Sequence, residues 1–520
     1  MQEISFSTAP GIPVLTLMIL MPLVAAIAAA LVADPRLARR LALVGTGFSS
    51  LLSLLALAAF DGGWGGMQMV ERLRWLPSLG IDYALGVDGI SVMFLPMTAL
   101  LFLAIQALAP EAAAARNRWV DVNLLVLLSA TLGVFAAADA MLFFVFFEAA
   151  LVPGYFLIKL CGPSADPARA ARSYIVVMLL GSLPVLAGLL LAGLGAADTT
   201  GNLSFDIAHL AASDLPEGTE LVVFAFLAFG FAIKAPALPV HLWMGPCVTA
   251  SPVSMVAWLL GVKLGTYGIL RFVIPLSPVV SAEWAGWVIG VEVVAIVYAG
   301  LIALSRRDLR SLLVFSSIGH VGLMTAAAFS GTEDGWRGAV LMMVNAGIAT
   351  AGLALCIGMI ERRAGTSDVR ALGGLIASAP RLTAVVFVSG MALIGVPGTS
   401  GFAGEILSLN GVFNAGWGFG LVAVTGVVLA AGYFLTAYQR GFLGPARATA
   451  IIPDLRGRER MFGATIVVLI LGLGLFPALP ESITRATVAA RIDQAAARVA
   501  AARPDAISRI AALTSAEPNE

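Results

Sequence analysis

Apolar stretches of about 20 residues recur along the chain, and this feature constrains its fold more than any other. Each stretch, as a helix, is long enough to cross the roughly 30 Å hydrocarbon layer of a membrane. About 14 of them lie between Ile12 and Leu479, separated by short polar segments. The chain is 59% hydrophobic and only 12% charged, whereas soluble domains carry roughly 25% charged residues. The sequence therefore predicts an all-α integral membrane protein with about 14 transmembrane helices.

The first apolar stretch, near Ile12–Val32, has the length of a membrane span. No small-residue cleavage site follows it, and the segment before it carries Glu3 instead of a basic cluster. A secretory signal peptide has both a basic segment and a cleavage site. We therefore expect this stretch to be a retained span.

Arginines are concentrated in every second connection between the predicted spans. Cytoplasmic connections of membrane proteins carry an excess of Lys and Arg, so we expect the arginine-rich connections to be cytoplasmic. The opposite connections are poorer in basic residues and often acidic, as in Asp198–Glu220. With an even number of spans, both termini then lie on the outer side. The arginines that define the cytoplasmic side are Arg36, Arg39, Arg40, Arg116, Arg118, Arg169, Arg172, Arg306, Arg307, Arg310, Arg362, Arg363, Arg370, Arg456, Arg458 and Arg460.

The stretch Ile483–Arg509 is rich in Ala and Arg and has a helical spacing of apolar residues. One hypothesis is an exposed amphipathic helix or a helix that binds a partner protein. The other is a frayed terminal tail. Both fit the sequence equally well.

Charge and motif content argue against several kinds of binding site. The net charge is zero and no basic stripe is present, so nucleic acid is not an expected partner. Cys161, Cys247 and Cys356 lie far apart without metal-ligand spacing, which argues against a metal site, an iron–sulfur cluster or a disulfide framework. Because neither a GxGxxG motif after a strand nor a Walker loop occurs, we expect no nucleotide cofactor in this chain.

Two of the predicted spans are interrupted by proline and glycine, which break the backbone hydrogen-bond pattern of a helix. One interruption is Lys234–Pro239 (KAPALP), and the other is Gly395–Gly401 (GVPGTSG). Irregular backbone at membrane depth is stable only where it is buried in protein or lines water. A structural kink explains one such break easily. Two breaks, each with a charged residue within a few positions, favour a transporter with paired broken helices.

Six ionisable residues fall inside apolar stretches, where each charge costs roughly 2.5–3.5 kcal/mol on insertion scales. Such residues are usually functional, and the alternative is a side chain near a helix end that is neutralised or that extends to the interface. That alternative fits Lys159 and Arg271, which lie at the edges of predicted spans. The six candidate functional residues are Glu148, Lys234, Lys263, Glu292, His320 and Glu405.

Lysine is rare, with three lysines against 28 arginines, and two of the three, Lys234 and Lys263, are predicted to lie in the membrane. Arginine keeps its proton in any protein site, whereas a desolvated lysine can bind and release a proton near neutral pH. The choice of lysine therefore supports proton exchange. Chance placement of two lysines is not rare in a chain that is mostly membrane.

These residue types together predict a chain of proton transfers. Lys234 keeps its proton while it is paired with ionised Glu148, and releases the proton more readily when the two separate, because burial disfavours the charged form. The proton then passes through water, Lys263 and His320 toward Glu405. A lone histidine on an apolar span is more often a core residue than a relay, but the neighbouring titratable groups favour the relay for His320.

At these residues the sequence resembles the M-type, antiporter-like subunit of NADH:quinone oxidoreductase (respiratory complex I), from about Leu85 to Leu479. The acid at Glu405 is the most discriminating feature, because the related L- and N-type subunits and the multisubunit sodium/proton antiporters generally have lysine there. The segments that carry the resemblance are LGVDGIS (Leu85–Ser91), FFEAALVPGYFLI (Phe146–Ile158), FAIKAPALPVHLW (Phe231–Trp243), SPVSMVAWLLGVKLGTYGILRF (Ser251–Phe272), RRDLRSLLVFSSIGHVGL (Arg306–Leu323), GVPGTSGFAGE (Gly395–Glu405) and YQRGFLG (Tyr438–Gly444).

The resemblance implies a fold of about 14 transmembrane helices with two inverted five-helix repeats, each containing one broken helix. The implied divisions are 1–110 for the N-terminal transmembrane helices, 111–275 for the first antiporter-like repeat (helices 4–8), 276–445 for the second (helices 9–13), 446–482 for the last transmembrane helix and 483–520 for a C-terminal tail.

The resemblance also implies that five of the candidate residues transfer protons. Two further residues, His241 and Glu292, are candidate accessory residues. In the family's helix order, the five are Glu148 on the fifth helix, Lys234 on the first broken helix, Lys263 at the centre of the eighth helix, His320 on the tenth helix and Glu405 on the second broken helix.

The resemblance to complex I further implies a subunit without a redox centre and without a cofactor or metal of its own. It implies a bacterial inner (cytoplasmic) membrane location with both termini periplasmic. The implied partners are membrane lipid, protons and the other membrane-arm subunits of complex I, of the L, N, K, J, A and H types. NADH and quinone are then bound by partner subunits, whose electron transfer drives proton movement.

Three features depart from the family pattern. The family usually has a loop like WLPDAHxEA between its seventh and eighth helices, whereas Trp243–Pro252 reads WMGPCVTASP and lacks that acid and histidine. The usual eleventh-helix histidine is Ala346, and Glu292 is not typical of the family. Two alternatives therefore stay open: a subunit of a cation/proton antiporter or membrane-bound hydrogenase-like complex, and a scaffold paralogue that does not pump.

Overall fold

The computed structural model describes residues 12–108, 117–445 and 451–502, and most of them are helical. The first helices are α1 (Val14–Leu31), α2 (Pro35–Ala58), α3 (Phe94–Leu108), α4 (Arg118–Ala136), α5 (Ala140–Ala149), α6 (Leu151–Cys161), α7 (Pro167–Thr200), α8 (Ile207–Ala212) and α9 (Glu217–Lys234). They are followed by α10 (Met244–Ala250), α11 (Val253–Gly261), α12 (Leu264–Gly268), α13 (Ile274–Leu276), α14 (Pro278–Ser305), α15 (Leu309–Phe329) and α16 (Glu333–Ala364). The last are α17 (Leu375–Ser378), α18 (Pro380–Leu393), α19 (Gly401–Ala415), α20 (Trp417–Phe442), α21 (Arg458–Leu475) and α22 (Ala478–Ala502).

Ten helices in the described ranges are long and apolar enough to cross a membrane, and two of them, Ala140–Cys161 and Val253–Leu276, combine consecutive elements. The bent pair α21–α22, whose halves meet at 65°, makes an eleventh if it counts as one span. Two further apolar helices, α3 and α18, are shorter. A helix rises about 1.5 Å per residue, so these lengths match the hydrocarbon layer. The prediction of a helical membrane protein is confirmed at this level.

The centre of the bundle is formed by α16 and by the segment Val253–Leu276. In both, 94% of the most apolar stretch is buried inside the protein. By contrast, α1, α7 and α20 bury only a third to two fifths of theirs, and large apolar side chains on them are exposed. A helix that is apolar on its outer face suits lipid as its solvent. The central helices are therefore the ones whose polar residues need partners within the protein.

The chain also contains a β-hairpin, which the all-α prediction missed. Strand β1 (Gln68–Leu76) pairs antiparallel with β2 (Ile81–Val87), from Gln68 opposite Val87 to Leu76 opposite Ile81. The turn includes Gly80, whose φ of 65° lies in the left-handed region that favours glycine. The strands have only 9 and 7 residues, so their alternation of apolar and polar side chains is a weak signal beside the long apolar helices.

Connections between the helices gather on two opposite faces. The connections 306–308 and 365–374 pair through the backbone, where Leu309 N–H donates to Ser367 O at 3.1 Å and Val369 N–H donates to Arg307 O at 2.8 Å. We call this side, with 32–34 and 162–166, the arginine face. The opposite side, with the hairpin 68–87 and the connections 137–139 and 201–216, is the hairpin face. There Ile207 N–H donates to Ala138 O at 2.9 Å.

Helix α22 lies on the hairpin face and contacts several other parts of the chain. Thr487 Oγ1 accepts a hydrogen bond from Gly89 N–H at 3.0 Å. Glu481 forms an ion pair with Arg337 at 2.9 Å, and Arg498 forms one with Asp214 at 3.2 Å. Residues 483–502 are thus helical and not a frayed tail, but the helix packs on this chain, and its binding to a partner protein stays a prediction. Residues 503–509 lie outside the described residues.

Arg271 does not extend to the interface, and its charge is instead neutralised inside the protein. Its side chain is buried and forms an ion pair with Asp88, which follows strand β2. Burial raises the pKa of Asp88, but the guanidinium groups of Arg271 and Arg491, with a hydrogen bond from Ser91 N–H, together outweigh that effect and hold the pKa below its usual value. Arg271 lies in a π-helical turn, Ile269–Val273, a departure from α geometry that often marks functional sites. Lys159, in contrast, is exposed as expected.

Candidate functional site

The first predicted interruption is present, and α9 ends at Lys234. Pro236 and Pro239 follow within five residues, and proline cannot continue the helical hydrogen-bond pattern. The chain resumes as a 3₁₀ turn, Val240–Trp243, and then as α10. Trp243 Nε1 donates to Ile233 O across the break, at 2.9 Å. The stretch Trp243–Ala250, which the sequence analysis treats as a loop, is therefore helical.

Lys234 and Glu148 form an ion pair at this break. The distance from Lys234 Nζ to Glu148 Oε1 is 3.5 Å, and the lysine side chain is only 6% exposed. The Nζ atom also lies 3.8 Å from the ring centroid of Phe147, the residue before Glu148. Phe147 packs in turn on Phe231 of α9, with ring centroids 5.8 Å apart. The ammonium group is thus held between a carboxylate and an aromatic ring face in a largely dry environment.

A second break, which the sequence analysis did not predict, occurs at Lys263. Helix α11 ends at Gly261, Val262 is extended, and α12 begins at Leu264. The break frees the carbonyl of Leu260 from the helical pattern, and Lys263 Nζ donates to this oxygen at 2.6 Å. Nζ also donates to Ser317 Oγ of α15 at 2.6 Å. Both acceptors are neutral, and no ion pair of Lys263 occurs among the described residues.

The breaks at Lys234 and Lys263 lie against each other. Gly265 packs so closely on the backbone of Ala235 and Lys234 that any Cβ at position 265 would overlap with it. Only glycine allows this approach of two main chains. The irregular backbone of α9 and that of the Val253–Leu276 segment therefore form one continuous region inside the protein.

The third break separates α18 from α19 and is held by side chains of two neighbouring helices. His320 Nε2 of α15 donates to Leu393 O, the last residue of α18, at 2.8 Å. Asn345 of α16 donates from Nδ2 to Ala392 O at 3.0 Å, and its Oδ1 accepts from Ser400 Oγ at 2.6 Å. These bonds satisfy backbone groups that the break leaves without helical partners.

Glu405 lies one turn into α19 and folds back onto this break. Its carboxylate contacts Gly395, whose φ is 62° and whose Cβ position the carboxylate would overlap. The side chain is buried. Glycine is therefore needed at position 395 for two reasons: it adopts the left-handed conformation, and it has no Cβ that would overlap with the carboxylate.

A small cavity connects His320 with Glu405. It has a volume of about 30 Å³, and roughly 10–15 Å³ suffices for one water molecule. Ser316 and Tyr433 also line it, and Tyr433 OH donates to Ser316 Oγ at 2.9 Å. The cavity has the size and the polar partners that a buried water requires.

Helix α15 links the second break to this cavity through neighbouring residues. Ser317 accepts from Lys263, whereas the adjacent Ser316 lines the cavity. His320 follows Ser317 by three residues, a spacing that places the two on the same side of a helix. Helix α15 therefore carries both a group that binds Lys263 and groups that line the cavity.

The structure thus brings the sequence-predicted residues together in two groups joined by α15. Glu148 and Lys234 are paired, and His320 and Glu405 share a cavity. The candidate accessory residues lie apart from both groups. His241 is close to Tyr298 OH, with Nε2 at 3.2 Å, and Glu292 is buried against α15. Within the described part of the chain, no three His, Cys, Asp or Glu side chains are placed to hold a metal ion.

Four polar residues of the site escaped the sequence analysis, although each interrupts an apolar stretch. Hydroxyl and amide side chains carry little cost inside a helix, so their presence in a span is a weak signal. The four are Ser316, Ser317, Asn345 and Tyr433.

Comparison with known proteins places this arrangement in a family. Residues 137–430 match the model described as NADH:quinone oxidoreductase/Mrp antiporter, TM. The NADH-quinone oxidoreductase subunit M of Rhodobacter capsulatus is 34% identical over 495 residues, which cover 91% of this chain and 95% of that protein. The chain belongs to this family. The matched range contains every broken helix described above and all the candidate residues.

Solved structures agree with this membership. A chain of respiratory complex I from Thermus thermophilus with bound NADH superposes with a TM-score of 0.84, is 31% identical, and covers 92% of this chain and 99% of its own length. A chain of the Mrp complex from Dietzia sp. gives a TM-score of 0.81 at 24% identity, covering 94% and 99%. At that identity the second likeness shows the fold alone.

Proposed function

We propose that this chain is a proton-translocating subunit of the membrane arm of an NADH:quinone oxidoreductase. Homologues that match over most of its length are subunit M of that enzyme, and a chain of complex I has the same fold. The chain is thus a subunit of a translocase complex, and its own part in that complex is to move protons. Redox chemistry in the partner subunits supplies the driving force.

A single observation carries the proton-transfer role: the pairing of Glu148 with Lys234 at a helix break inside the membrane. An intramembrane ion pair without a function would be a burden on folding. Its opening would leave Lys234 as a buried, unpaired ammonium that readily gives up a proton. Any motion of α5 against α9 that changes the 3.5 Å separation therefore controls proton release.

The proposed route continues along the contacts described above. The proton moves from Lys234 along the contact between the two breaks to Lys263, which passes it through Ser317 to the vicinity of His320. From there, water in the cavity reaches Glu405. Each transfer needs groups within hydrogen-bonding reach or one water apart.

We propose an architecture of 14 transmembrane segments, which adds four to the ten long helices. The four are α3, the broken pairs α9–α10 and α18–α19, and α21. Two inverted repeats, 111–275 and 276–445, then contain one of these broken pairs each. The repeats lie between the N-terminal spans (1–110) and the last span (446–482), which a tail (483–520) follows. The location is a bacterial inner membrane with the arginine face in the cytoplasm and both termini in the periplasm.

The proposed partners are the other membrane-arm subunits, of the L, N, K, J, A and H types, together with lipid. NADH and quinone bind to partner subunits, and this chain needs no cofactor of its own. The alternatives are a subunit of a cation/proton antiporter or hydrogenase-like complex, and a scaffold that does not pump. Glu405 favours the complex I subunit, because the antiporter subunits that the sequence resembles generally carry lysine there.

The test starts with the complex purified through a tag on this chain. Co-purification of NADH- and quinone-binding subunits supports the proposal, whereas co-purification of antiporter subunits alone refutes it. The complex is then reconstituted in sealed vesicles, and proton uptake is measured during NADH oxidation. We expect Lys234→Ala and Glu148→Gln to depress proton uptake and coupled quinone reduction by at least roughly tenfold.

Matched controls lie on the protein surface. Lys159→Ala removes an exposed lysine, and Glu333→Gln removes an exposed glutamate at the start of α16. Both should retain the wild-type rate. Normal proton uptake by an assembled Lys234→Ala or Glu148→Gln complex would exclude the ion pair from the pathway. If the complex pumps normally with either substitution, only the scaffold role remains for this chain.

A further inference from the structure

Glu292 is a buried acid that the route above does not use. It lies in the middle of α14 and is 4% exposed. Its Oε2 atom is buried and has no hydrogen-bond partner among the described residues. A carboxylate without a partner is strongly disfavoured inside a protein, and such a group is usually neutral and protonated. The position therefore accommodates a carboxylic acid that carries a proton.

Space for this side chain is provided by a glycine on the facing helix. A Cβ at Gly322 of α15 would lie 3.3 Å from Glu292 Oε2 and 2.9 Å from Glu292 O. Gly322 is two residues beyond His320 in the same helix. The carboxyl group thus points at the helix that also carries the histidine of the cavity.

Glu292 is also adjacent to the cavity along its own helix. Ile296 and Gly300 line the cavity that His320 and Glu405 share. They follow Glu292 by four and eight residues, so all three lie on one face of α14. Only one helical turn separates the buried acid from the site of the proposed water.

One apolar side chain is shared by the cavity and the surroundings of Glu292. Ile296 lines the cavity, and its Cγ1 lies 3.1 Å from the Cβ position of Gly322, the glycine that faces Glu292. Farther along α15, Thr325 follows Gly322 by three residues, and its buried Oγ1 also has no partner among the described residues. This hydroxyl lies on the hairpin-face side of Glu292.

We propose that Glu292 is a proton-carrying residue that connects the His320–Glu405 cavity to the hairpin face. The step is a simple proton exchange: the carboxylic acid O–H bond breaks as a water on the hairpin-face side accepts the proton, and the resulting carboxylate takes up a proton from a water in the cavity. No other bond is made or broken. Ile296 is the barrier that keeps the two sides from exchanging freely. This inference rests on the proposed proton-translocating function.

Infrared spectroscopy of the reconstituted complex tests the protonated state directly. A buried carboxylic acid has a C=O stretching band that shifts when its proton is replaced by deuterium. We expect one such band to be lost in Glu292→Gln and to be shifted but present in Glu292→Asp. Glu283→Gln, which changes an exposed glutamate of the same helix, should keep the wild-type band. A spectrum of Glu292→Gln identical to that of the wild type would overturn the proposal.

Proton uptake per electron transferred tests the role in the pathway. Glu292→Gln should lower this ratio, Glu292→Asp should restore part of it, and Glu283→Gln should leave it unchanged. If the wild-type complex itself takes up no protons, the proposed function fails. If the wild type pumps and Glu292→Gln pumps equally well, only the present inference fails.

A second variant covers the case in which Glu292→Gln does not assemble. Ile296→Ala shortens the barrier and leaves every titratable group in place. We expect the Glu292 band to exchange with D₂O faster by at least roughly tenfold than in the wild type. An unchanged exchange rate in Ile296→Ala would overturn the assignment of Ile296 as the barrier between cavity and acid.

Discussion

Lys263 interacts with neutral groups, and this distinguishes it from Lys234. The acceptors of its Nζ atom are the carbonyl of Leu260 and the hydroxyl of Ser317. A neutral amine keeps both contacts, because the Ser317 hydroxyl can turn to donate to the amine nitrogen. The site can therefore hold the charged and the neutral form of lysine without a change of partners.

Replacement of Lys263 by arginine tests whether the site exchanges a proton or needs only a positive charge. Arginine keeps its proton in any protein site, so Lys263→Arg should lower proton uptake in vesicles by at least roughly tenfold while the complex assembles. Lys159→Arg, at an exposed position, is the matched control and should behave as the wild type. Full activity of Lys263→Arg would mean that charge alone is required.

Glu405 is expected to hold the last proton on the route, and three substitutions separate this role from a structural one. Glutamine keeps the shape of the side chain against Gly395 but cannot release a proton, so Glu405→Gln and Glu405→Ala should both lose pumping. Lysine restores a titratable group, so Glu405→Lys should retain more activity than either. Proton uptake per electron is the measurement. A silent Glu405→Gln would show that the residue only stabilises the break.

Five proton-transfer candidates could be predicted from the sequence because a charge in an apolar stretch is conspicuous. The pairing of Glu148 with Lys234 was also expected, from their opposite charges, but the neutral contacts of Lys263 and the shared cavity were not. Ser317 and Tyr433 are ordinary in a membrane helix, and only packing brings them to Lys263 and to the cavity. The partner of Arg271 could not be predicted for the same reason, because Asp88 is 183 positions away in the sequence.

At the scale of elements, the helix breaks are the units that position the site. Proline and glycine predicted the breaks after Lys234 and before Gly401. The break at Lys263 has no proline and was not predicted. It is compensated by a local contact, since the lysine side chain itself satisfies the freed carbonyl of Leu260, three residues earlier. Proline alone does not decide where a helix breaks either, because Pro22 and Pro184 lie inside continuous helices, whereas the two predicted breaks each combine proline with further irregular residues.

The Asp88–Arg271 ion pair fastens the segment after the hairpin to the central Val253–Leu276 segment. Removal of one partner leaves the other charge buried and unpaired, so Asp88→Asn should destabilise the protein by about 3–5 kcal/mol. Thermal unfolding of the purified protein in detergent measures this loss. The double variant Asp88→Asn with Arg271→Met removes both charges and should recover much of it. An Asp88→Asn protein as stable as the wild type would contradict a stabilising pair.

The same pair predicts the direction of a pH effect. Because Arg271, together with Arg491 and a hydrogen bond from Ser91 N–H, holds the pKa of Asp88 below its usual value in the folded protein, these contacts stabilise the fold at and above the usual range of an aspartate. That contribution is lost only as the pH falls through the lowered pKa. We expect the wild type to lose stability more steeply on acidification than Asp88→Asn, measured as the change in unfolding temperature with pH.

At the scale of the whole molecule, the two faces differ in charge and in structure. The arginine face carries short connections, and the hairpin face carries β1–β2, the connection 201–216 and α22. Hydropathy predicted the helices, and the distribution of arginines predicted which connections lie on the same face. The hairpin and the packing of α22 on it depend on contacts distant in sequence, such as Gly89 with Thr487.

The orientation of these faces follows from the excess of arginine on one of them, since basic connections remain in the cytoplasm during insertion. Cysteine labelling tests it. In a background in which Cys161, Cys247 and Cys356 are replaced by alanine, Arg370→Cys adds an exposed thiol to the arginine face and Ser482→Cys adds one to the hairpin face. A membrane-impermeant maleimide should label Ser482→Cys in intact spheroplasts and Arg370→Cys only in inverted vesicles, with the cysteine-free parent unlabelled in both. The opposite pattern would reverse the orientation, and with it the side to which the Glu292 branch opens.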